Sequence, residues 1–514
     1  MSKWWVAGPT FSHIHTHNVA PLTHNAVGPY LPWGVHLAYG EDTSRVMQVM
    51  WSTRSAVAGS VAYVGSAPGN WSATYAGAAS NFTDVSNTQF IHYVVMTGLA
   101  PGTVYYYAVG DGAGNTSAAF HFRTYPANPV PTTFAIFADM GVDVNAQGTV
   151  PYLAADAASG AIDIVLHVGD IAYDLDSNNG GNGDAFVVAA QSYAAYVPEH
   201  VTVGNHEAEM EGNADFVQYI GRFNMMPGNA TSDSMYHSFN AGLTHVVMLS
   251  SEVYFYLSTH GLDLMPPQCA WLEDDLAGVN RSVTPWLLTM GHRPMYCSPD
   301  DDEDDCHQLL SVVRDGIAGY YGLEPLIYKY GVDIHIGGHE HNYEFNRPVY
   351  QFMWNQSLTP EQALIDYDRP IHILSGAAGC PENQDAWQTA GNPFSLVRLN
   401  VYGYGRLHVL NATTAVWEFL DVTNNTIVDT RTIVQHNHGP YSGLQDVPLA
   451  TRREALTATL DHLKHTATGH HNTHRHNYMP GHVHDTHRRR HELDSYALRL
   501  LATDNMARLG MDMP

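Results

Sequence analysis

Residues 334–344 read IHIGGHEHNYE, and the rest of the chain is organised around this stretch. Apolar Ile334 and Ile336 alternate with polar residues, which predicts a β-strand. The strand is expected to end at two glycines, after which His339 and His341 follow at i and i+2. Side chains at this spacing in extended chain point the same way. Because neutral imidazole is the commonest metal ligand in proteins, the stretch predicts part of a metal site.

Four more apolar segments end in residues that can bind metal. Helix-compatible, Ala-rich segments such as 152–159 and 185–196 lie between them. Strands that alternate with helices predict an α/β sheet, and open sheets of this kind carry their sites at the carboxyl ends of strands. The four segments are FAIFADMG at 134–141, IDIVLHVGDIAY at 162–173, VTVGNHE at 201–207 and WLLTMGHRP at 286–294.

The polar residues at the five strand ends form one candidate ligand set. Carboxylate, phenolate and imidazole suit a hard trivalent ion, whereas amide oxygen and imidazoles suit a divalent ion such as Zn, Fe or Mn. Asp170 is the natural bridge between two ions, because Tyr173 follows it at i+3. Each residue alone could instead have a structural role, as a turn former or a core histidine. Because such residues recur at all five strand ends, a metal site is the better interpretation. The set is Asp139, Asp170, Tyr173, Asn205, His292, His339 and His341.

Length and charge restrict the class of protein. A chain of 514 residues with 45% hydrophobic content is expected to form two or three globular domains. The formal net charge of -27 argues against general nucleic-acid binding, which needs a basic surface. No run of about 18 apolar residues occurs, so no membrane span is predicted.

The chain divides into four parts by composition. Residues 1–28 form a His-containing arm that is expected to be flexible. Residues 29–126 carry short strand patterns between turn formers, which predict an antiparallel β-sandwich. Residues 132–431 hold the five strand ends and a set of closing strands. Residues 432–514 form a tail rich in His and Arg, for which disorder is expected.

Sequons and cysteines bear on the compartment. Eight N-x-S/T sequons suggest a secreted or lumenal glycoprotein, although no basic-then-apolar leader is visible at the N-terminus. Cys297 and Cys306 bracket a short loop and are expected to pair, and Cys269 with Cys380 is a candidate second pair. The sequons begin at Asn70, Asn81, Asn115, Asn229, Asn280, Asn355, Asn411 and Asn424.

The five blocks resemble the signature of the purple acid phosphatases, which are calcineurin-like metallophosphoesterases. The tyrosine of the block GDIAY at 169–173 is the specific part of the resemblance. The resemblance implies two mixed β-sheets flanked by helices, preceded by a domain similar to fibronectin type III. It also implies a secreted, lysosomal or vacuolar acid phosphatase that acts on small phosphate monoesters through a dimetal-bound hydroxide. A homodimer is left open.

The same resemblance assigns roles to the residues. Asp139, Asp170, Tyr173 and His341 would hold Fe(III), and Asp170, Asn205, His292 and His339 would hold the divalent ion. His206, together with Asn205, would contact the phosphate, and His206 would protonate the leaving alkoxide, as a positioned imidazole can.

One departure from the family pattern concerns the substrate. The loop at 299–306 reads PDDDEDDC where plant members place a histidine pair, so it is expected to repel highly charged substrates unless it points away or binds Ca²⁺. His307 is a candidate replacement for that pair. Two alternatives stay open: a phosphodiesterase or nucleotide pyrophosphatase on the same dimetal site, and a non-catalytic secreted glycoprotein.

Overall fold

The computed structural model describes residues 28–84, 87–208, 216–225, 235–256, 263–299, 311–317, 320–387 and 392–442. The N-terminal arm, the acidic residues 300–305, Cys306, His307, Asn229 and the tail from residue 443 onward lie outside these ranges.

Two four-stranded antiparallel sheets make up the N-terminal part, as the alternating strand patterns predict. Trp33, Val35, Trp51 and Val94 belong to its buried core. The apolar segments at 35–39, 46–51, 91–95 and 104–109 predict four of the eight strands, whereas the more exposed strand Asn70–Ala76 is not predicted. One sheet has the order β1 (Trp33–Tyr39), β2 (Met47–Thr53), β6 (Asn87–Met96), β5 (Ala78–Asp84), and the other has β4 (Asn70–Ala76), β3 (Val61–Ala67), β7 (Val104–Gly110), β8 (Phe120–Arg123).

Two mixed sheets follow, and they confirm the expected fold class. In the six-stranded sheet, three parallel strands are continued by an antiparallel meander. It has the order β11 (Glu199–Thr202), β10 (Ile164–Val168), β9 (Thr132–Phe137), β21 (Gly403–Asn411), β22 (Thr414–Asp421), β23 (Thr426–Val434). The seven-stranded sheet has the order β12 (His237–Ala241), β13 (Thr244–Leu249), β14 (Trp286–Gly291), β17 (Ile334–Gly337), β19 (Ile371–Ser375), β18 (Tyr343–Asn346), β20 (Ser395–Leu399). A short hairpin joins β15 (Gly316–Ile317) to β16 (Tyr320–Tyr321).

The central strands β9, β10 and β14 are buried except at Thr133, which is why they read as nearly continuous apolar runs. The two sheets meet through side chains: Trp417 Nε1 donates to the Tyr343 hydroxyl at 2.9 Å, and the Tyr343 ring stacks on Phe419. The described helices are α1 (Ala146–Ser159), α2 (Ser177–Ala194), α3 (Val217–Arg222), α4 (Met265–Gly278), α5 (Val312–Asp315) and α6 (Leu323–Lys329).

Helix α2 connects the N-terminal sandwich to the site. Gln191 on this helix accepts from the backbone N–H of Val35 at 2.8 Å, and the carbonyl of Ala195 accepts from the Tyr107 hydroxyl at 2.8 Å. The backbone at residues 178–180 is left-handed, so the regular helix begins after Gly180, and the sandwich contacts its C-terminal end.

The chain stays packed beyond the boundary predicted at residue 431. Strand β23 continues to Val434, and His438 Nδ1 lies 2.9 Å from Asp333 Oδ1. The Tyr441 hydroxyl donates to the carbonyl of Val332 at 2.9 Å. The first part of the predicted tail therefore contacts the seven-stranded sheet.

Candidate metal centre

The five predicted strand ends meet at one place. Strands β9, β10 and β11 run parallel in one sheet, and β14 and β17 run parallel in the other. The residues after their carboxyl ends form a single cluster that contains all seven candidate ligands. His339 is half-buried and the other six are buried: Asp139, Asp170, Tyr173, Asn205, His292 and His341.

The backbone at four of these residues is left-handed. Asp139, Asp170, Tyr173 and His339 have φ values of 61°, 50°, 54° and 74°. For residues other than glycine this region costs roughly 1–2 kcal/mol each. Such strain persists where the surrounding structure enforces it, and it concentrates at functional sites.

Two glycines allow the ligand segments to approach one another. A Cβ at Gly169, which has φ +86°, would lie 2.6 Å from His292 Nδ1. A Cβ at Gly204 would lie 2.1 Å from Asp170 Oδ1. Both contacts are too short for any side chain, so the glycines before the ligands are a steric requirement of the cluster.

One half of the cluster collects an amide and two imidazoles around Asp170. His292 Nε2 lies 3.3 Å from Asp170 Oδ2 and 3.0 Å from Asn205 Oδ1. His339 Nδ1 lies 2.9 Å from the same Asn205 oxygen. His292 Nδ1 lies 2.9 Å from the carbonyl oxygen of Val168, to which it donates as N–H, so Nε2 remains for the centre.

The other half collects a phenol, an imidazole and a carboxylate. The Tyr173 hydroxyl lies 2.8 Å from His341 Nε2 and 3.5 Å from Asp139 Oδ1. His341 Nδ1 lies 3.0 Å from the carbonyl oxygen of Asn383, which directs Nε2 towards Tyr173. Burial raises the pKa of Tyr173 well above its ordinary value, so its ionisation requires a nearby cation.

The charges of the cluster fit cations. Burial raises the pKa of Asp139 to about 8. Burial acts in the same direction on Asp170, but His292 and His206 hold its pKa well below the ordinary range. Burial opposes the charging of His292, yet Asp170 and Asp139 raise its pKa to about 10. Buried carboxylates need positive partners, and this set of oxygen and nitrogen donors has the chemistry to hold two metal ions.

His206 is buried beside the ligands. Its Nε2 lies 3.8 Å from Asp170 Oδ2, and its Nδ1 lies 2.9 Å from Asp174 Oδ1. Burial opposes protonation of His206, but Asp170 and Asp174 raise its pKa well above the ordinary value. The ring is thus held by a carboxylate with one nitrogen directed at the centre.

Glu207 has a role that the sequence analysis missed, although it belongs to one of the five blocks. Its fully buried carboxylate accepts from the backbone N–H groups of Asp170, Ile171 and Gly204, each at 2.8 Å. It therefore clamps two ligand segments together. In the sequence it is marked only by its place at the end of the block at 201–207.

Two further groups lie beside the site, although neither is among the predicted site residues. Arg293 Nη1 lies 3.0 Å from His339 Nε2, and its Nε donates to buried Glu252 at 2.9 Å. Glu382 Oε2 lies 3.8 Å from His206 Nε2 and 4.0 Å from His341 Nε2. Glu382 follows the strand β19, and no residue after this strand was predicted to belong to the site.

The cysteines correct one expectation. Cys297 is disulfide-bonded, while its predicted partner Cys306 lies outside the described residues. Cys269 and Cys380 are both free and buried, so the candidate second pair was wrong. Cys269 on α4 contacts the Tyr254 hydroxyl at 3.5 Å, whereas Cys380 Sγ lies 3.2 Å from His341 Nδ1.

Sequence profiles cover most of the chain. Residues 32–124 match "Purple acid Phosphatase, N-terminal domain", and residues 132–343 match "Calcineurin-like phosphoesterase". Residues 369–430 match "Iron/zinc purple acid phosphatase-like protein C". The three matches agree with the strand organisation described above.

Curated relatives extend over the same region. The chain is 38% identical over 427 residues to "Acid phosphatase type 7" of Danio rerio, covering 80% of this chain and 92% of the relative. It is 40% identical over 392 residues to "Acid phosphatase type 7" of Homo sapiens, covering 74% and 86%. "Purple acid phosphatase 15" of Arabidopsis thaliana is 30% identical over 389 residues, covering 64% and 67%.

A solved structure supports the fold. A purple acid phosphatase from yellow lupin (Lupinus luteus) seeds superposes with a TM-score of 0.66 at 22% identity, covering 80% of this chain and 75% of that one. Together with the profiles and relatives, the cluster confirms the resemblance read from the five blocks. The chain belongs to the purple acid phosphatase family of calcineurin-like phosphoesterases.

Proposed function

We propose that the chain is an acid phosphatase that hydrolyses phosphate monoesters at its dimetal centre. The observation that carries the proposal is the meeting of the Tyr173 hydroxyl with His341 and Asp139, which lie far apart in sequence. The names of the curated relatives support the same activity.

A dimetal centre belongs to the family, and the residues at hand suggest which ions it takes. Asp139, Asp170, Tyr173 and His341 would hold Fe(III), because phenolate and carboxylate suit a hard ion. Asp170, Asn205, His292 and His339 would hold Zn, Fe or Mn. When bound, the two ions would supply Lewis-acid polarisation of the phosphate and activation of water.

Side chains of the protein would bind the phosphate and supply the proton for the leaving group. Asn205 and His206 would contact the phosphate, and His206 would donate a proton from Nε2 to the leaving oxygen. Asp174 would keep that ring in place through Nδ1. A positioned imidazole of this kind contributes about 10²–10⁴-fold to a rate.

The test is metal analysis and turnover on the purified full chain. The proposal expects two metal ions per chain, visible colour, and phosphate release from aryl monoesters at mildly acid pH. Higher kcat/KM for diesters or nucleotide pyrophosphates would favour the phosphodiesterase alternative. Two bound metals without turnover on any phosphate ester would favour a non-catalytic glycoprotein.

Location and assembly remain proposals of the same kind. Six sequon asparagines are exposed, which would suit a secreted or lumenal glycoprotein: Asn70, Asn81, Asn280, Asn355, Asn411 and Asn424. Asn115 is half-buried and its amide donates to Asp111 at 2.6 Å. Among the described residues, no helix is long and apolar enough to cross a membrane. Glycosidase-sensitive mass and light scattering would test glycosylation and a homodimer.

A further inference from the structure

The segment after β19, residues 380–385, wraps the outer side of His341. Asp385 accepts from the His341 backbone N–H, and the carbonyl of Asn383 faces its Nδ1 at 3.0 Å. The Cys380 Sγ lies against the same ring. This wrapping segment therefore forms the outer wall of the site beside a candidate ligand.

The wrapping segment is itself anchored to the body of the domain. Asn145 Nδ2 donates to the carbonyl of Cys380 at 3.1 Å, and Asn400 Nδ2 donates to that of Asp385 at 3.0 Å. The backbone N–H of Glu382 points to Cys380 Sγ at 3.1 Å. These hydrogen bonds fix the backbone of the wrapping segment and therefore the position from which the Glu382 side chain extends.

Glu382 lies at the open edge of the cluster. Its side chain is 30% exposed, while those of His206 and His341 are 6% and 7% exposed. Its Oε2 is 3.8 Å from His206 Nε2, the nitrogen that faces the leaving group under the proposed function. A leaving group protonated by His206 would therefore lie within a few ångströms of this carboxylate.

We propose that Glu382 is a specificity-determining residue that disfavours phosphate esters whose leaving group carries a negative charge. The inference rests on the proposed function and specifies its substrate class: monoesters of neutral or cationic alcohols and phenols. Like charges brought together at a binding surface suppress the wrong partner. Unit charges about 6–8 Å apart near a protein surface, screened by physiological salt, correspond to a discrimination of about three- to tenfold.

The experiment compares three aryl phosphates that differ in the charge of a para substituent: phenyl, 4-carboxyphenyl and 4-(trimethylammonio)phenyl phosphate. The kcat/KM ratio of the carboxylated to the neutral ester is measured for wild type, Glu382→Gln and Glu382→Asp. Comparing these ratios between proteins cancels the intrinsic reactivity of each ester. Glu41→Gln is the matched control, because Glu41 is exposed in the N-terminal part and undergoes the same charge change.

The expected result is a carboxylated-to-neutral ratio about three- to tenfold higher in Glu382→Gln than in wild type. The cationic ester should shift the opposite way, and Glu382→Asp and Glu41→Gln should keep the wild-type order. Equal ratios in Glu382→Gln and wild type would overturn the inference, as would loss of metal from Glu382→Gln. If wild type releases no phosphate from phenyl phosphate, the proposed function fails first, and that outcome is separate from an unchanged ratio.

Discussion

His206 Nδ1 lies 2.9 Å from Asp174 Oδ1, although the two residues follow different strands of the six-stranded sheet. Asp174 reaches this position with a left-handed backbone, φ 63°. The bond fixes the ring so that Nε2 faces the metal cluster. The relationship separates the residue that would transfer the proton from the one that holds it in place.

Replacing His206 tests this division. His206→Gln is expected to lower kcat by about 10²–10⁴-fold for an alkyl phosphate, whose alkoxide needs a proton to leave. The loss should be smaller for 4-nitrophenyl phosphate, because nitrophenolate leaves unprotonated. Asp174→Asn should give a weaker loss with the same dependence on leaving group. Equal losses for both esters in metal-replete protein would contradict the role of His206.

Replacing Tyr173 tests the trivalent ion. Tyr173→Phe removes the phenol that lies 2.8 Å from His341 Nε2. The visible band that a tyrosinate-to-iron charge transfer produces should disappear, while iron content measured by elemental analysis is retained. Tyr402→Phe is a suitable control, since that half-buried hydroxyl contacts Asn145 rather than the cluster. Colour that survives in Tyr173→Phe would rule out this ligand.

Replacing Glu207 tests the backbone clamp. The carboxylate accepts from three backbone N–H groups, whereas glutamine has only one acceptor oxygen. The amide N–H₂ of the glutamine would then point at a backbone N–H group, which is also a donor. We expect Glu207→Gln to lower the free energy of unfolding by about 2–4 kcal/mol and metal affinity by about 10–100-fold. Glu199→Gln is the matched buried control, because Glu199 accepts from the Tyr193 hydroxyl at 3.0 Å, at the other end of β11. Unchanged metal affinity in Glu207→Gln would contradict the clamp.

Glu344 should make the fold more stable at acid pH. Burial raises the pKa of Glu344 from 4.5 to about 7, although Ser298 donates to it. The folded chain therefore binds this proton more tightly than the unfolded chain. From pH 4.5 up to about 7 the free energy of unfolding should fall, by about 1.4 kcal/mol per pH unit for one such group.

Glu344→Gln mimics the protonated acid, so its stability should depend less steeply on pH in that window. Denaturant titrations of metal-loaded protein at several pH values measure the slope, with Glu41→Gln as the exposed control. Identical slopes for wild type and Glu344→Gln would show that the buried carboxyl does not titrate there.

Cysteine labelling tests the corrected pairing. Alkylation in denaturant without reductant should modify two cysteines, mapped to Cys269 and Cys380, because both thiols are free. Reduction before alkylation should expose Cys297 and its partner, predicted to be Cys306. A disulfide-linked peptide that contains Cys269 or Cys380 would contradict the structure.

The local sequence was sufficient for the parts of the site that lie next to strand ends. An apolar strand that ends at Gly-Asp, Gly-Asn or Gly-His places its metal-binding side chain at the carboxyl edge of a sheet. This placement does not depend on residues far away in the sequence. That is why Asp170, Asn205 and His292 could be named before their meeting was seen. The alternation of strands with helices likewise predicted an α/β sheet, and the resemblance to the family implied that there are two mixed sheets.

Only the tertiary structure decided which groups support those donors. The roles of Glu382, Asp174 and Glu207 depend on contacts between separate segments of the chain, and no local sequence pattern predicts these contacts. The same reason made the Cys269–Cys380 pairing wrong, since a disulfide requires a Cα separation that spacing along the chain does not reveal. Strand patterns encode burial and turn chemistry over a few residues, whereas contacts over tens of residues depend on how the two sheets pack.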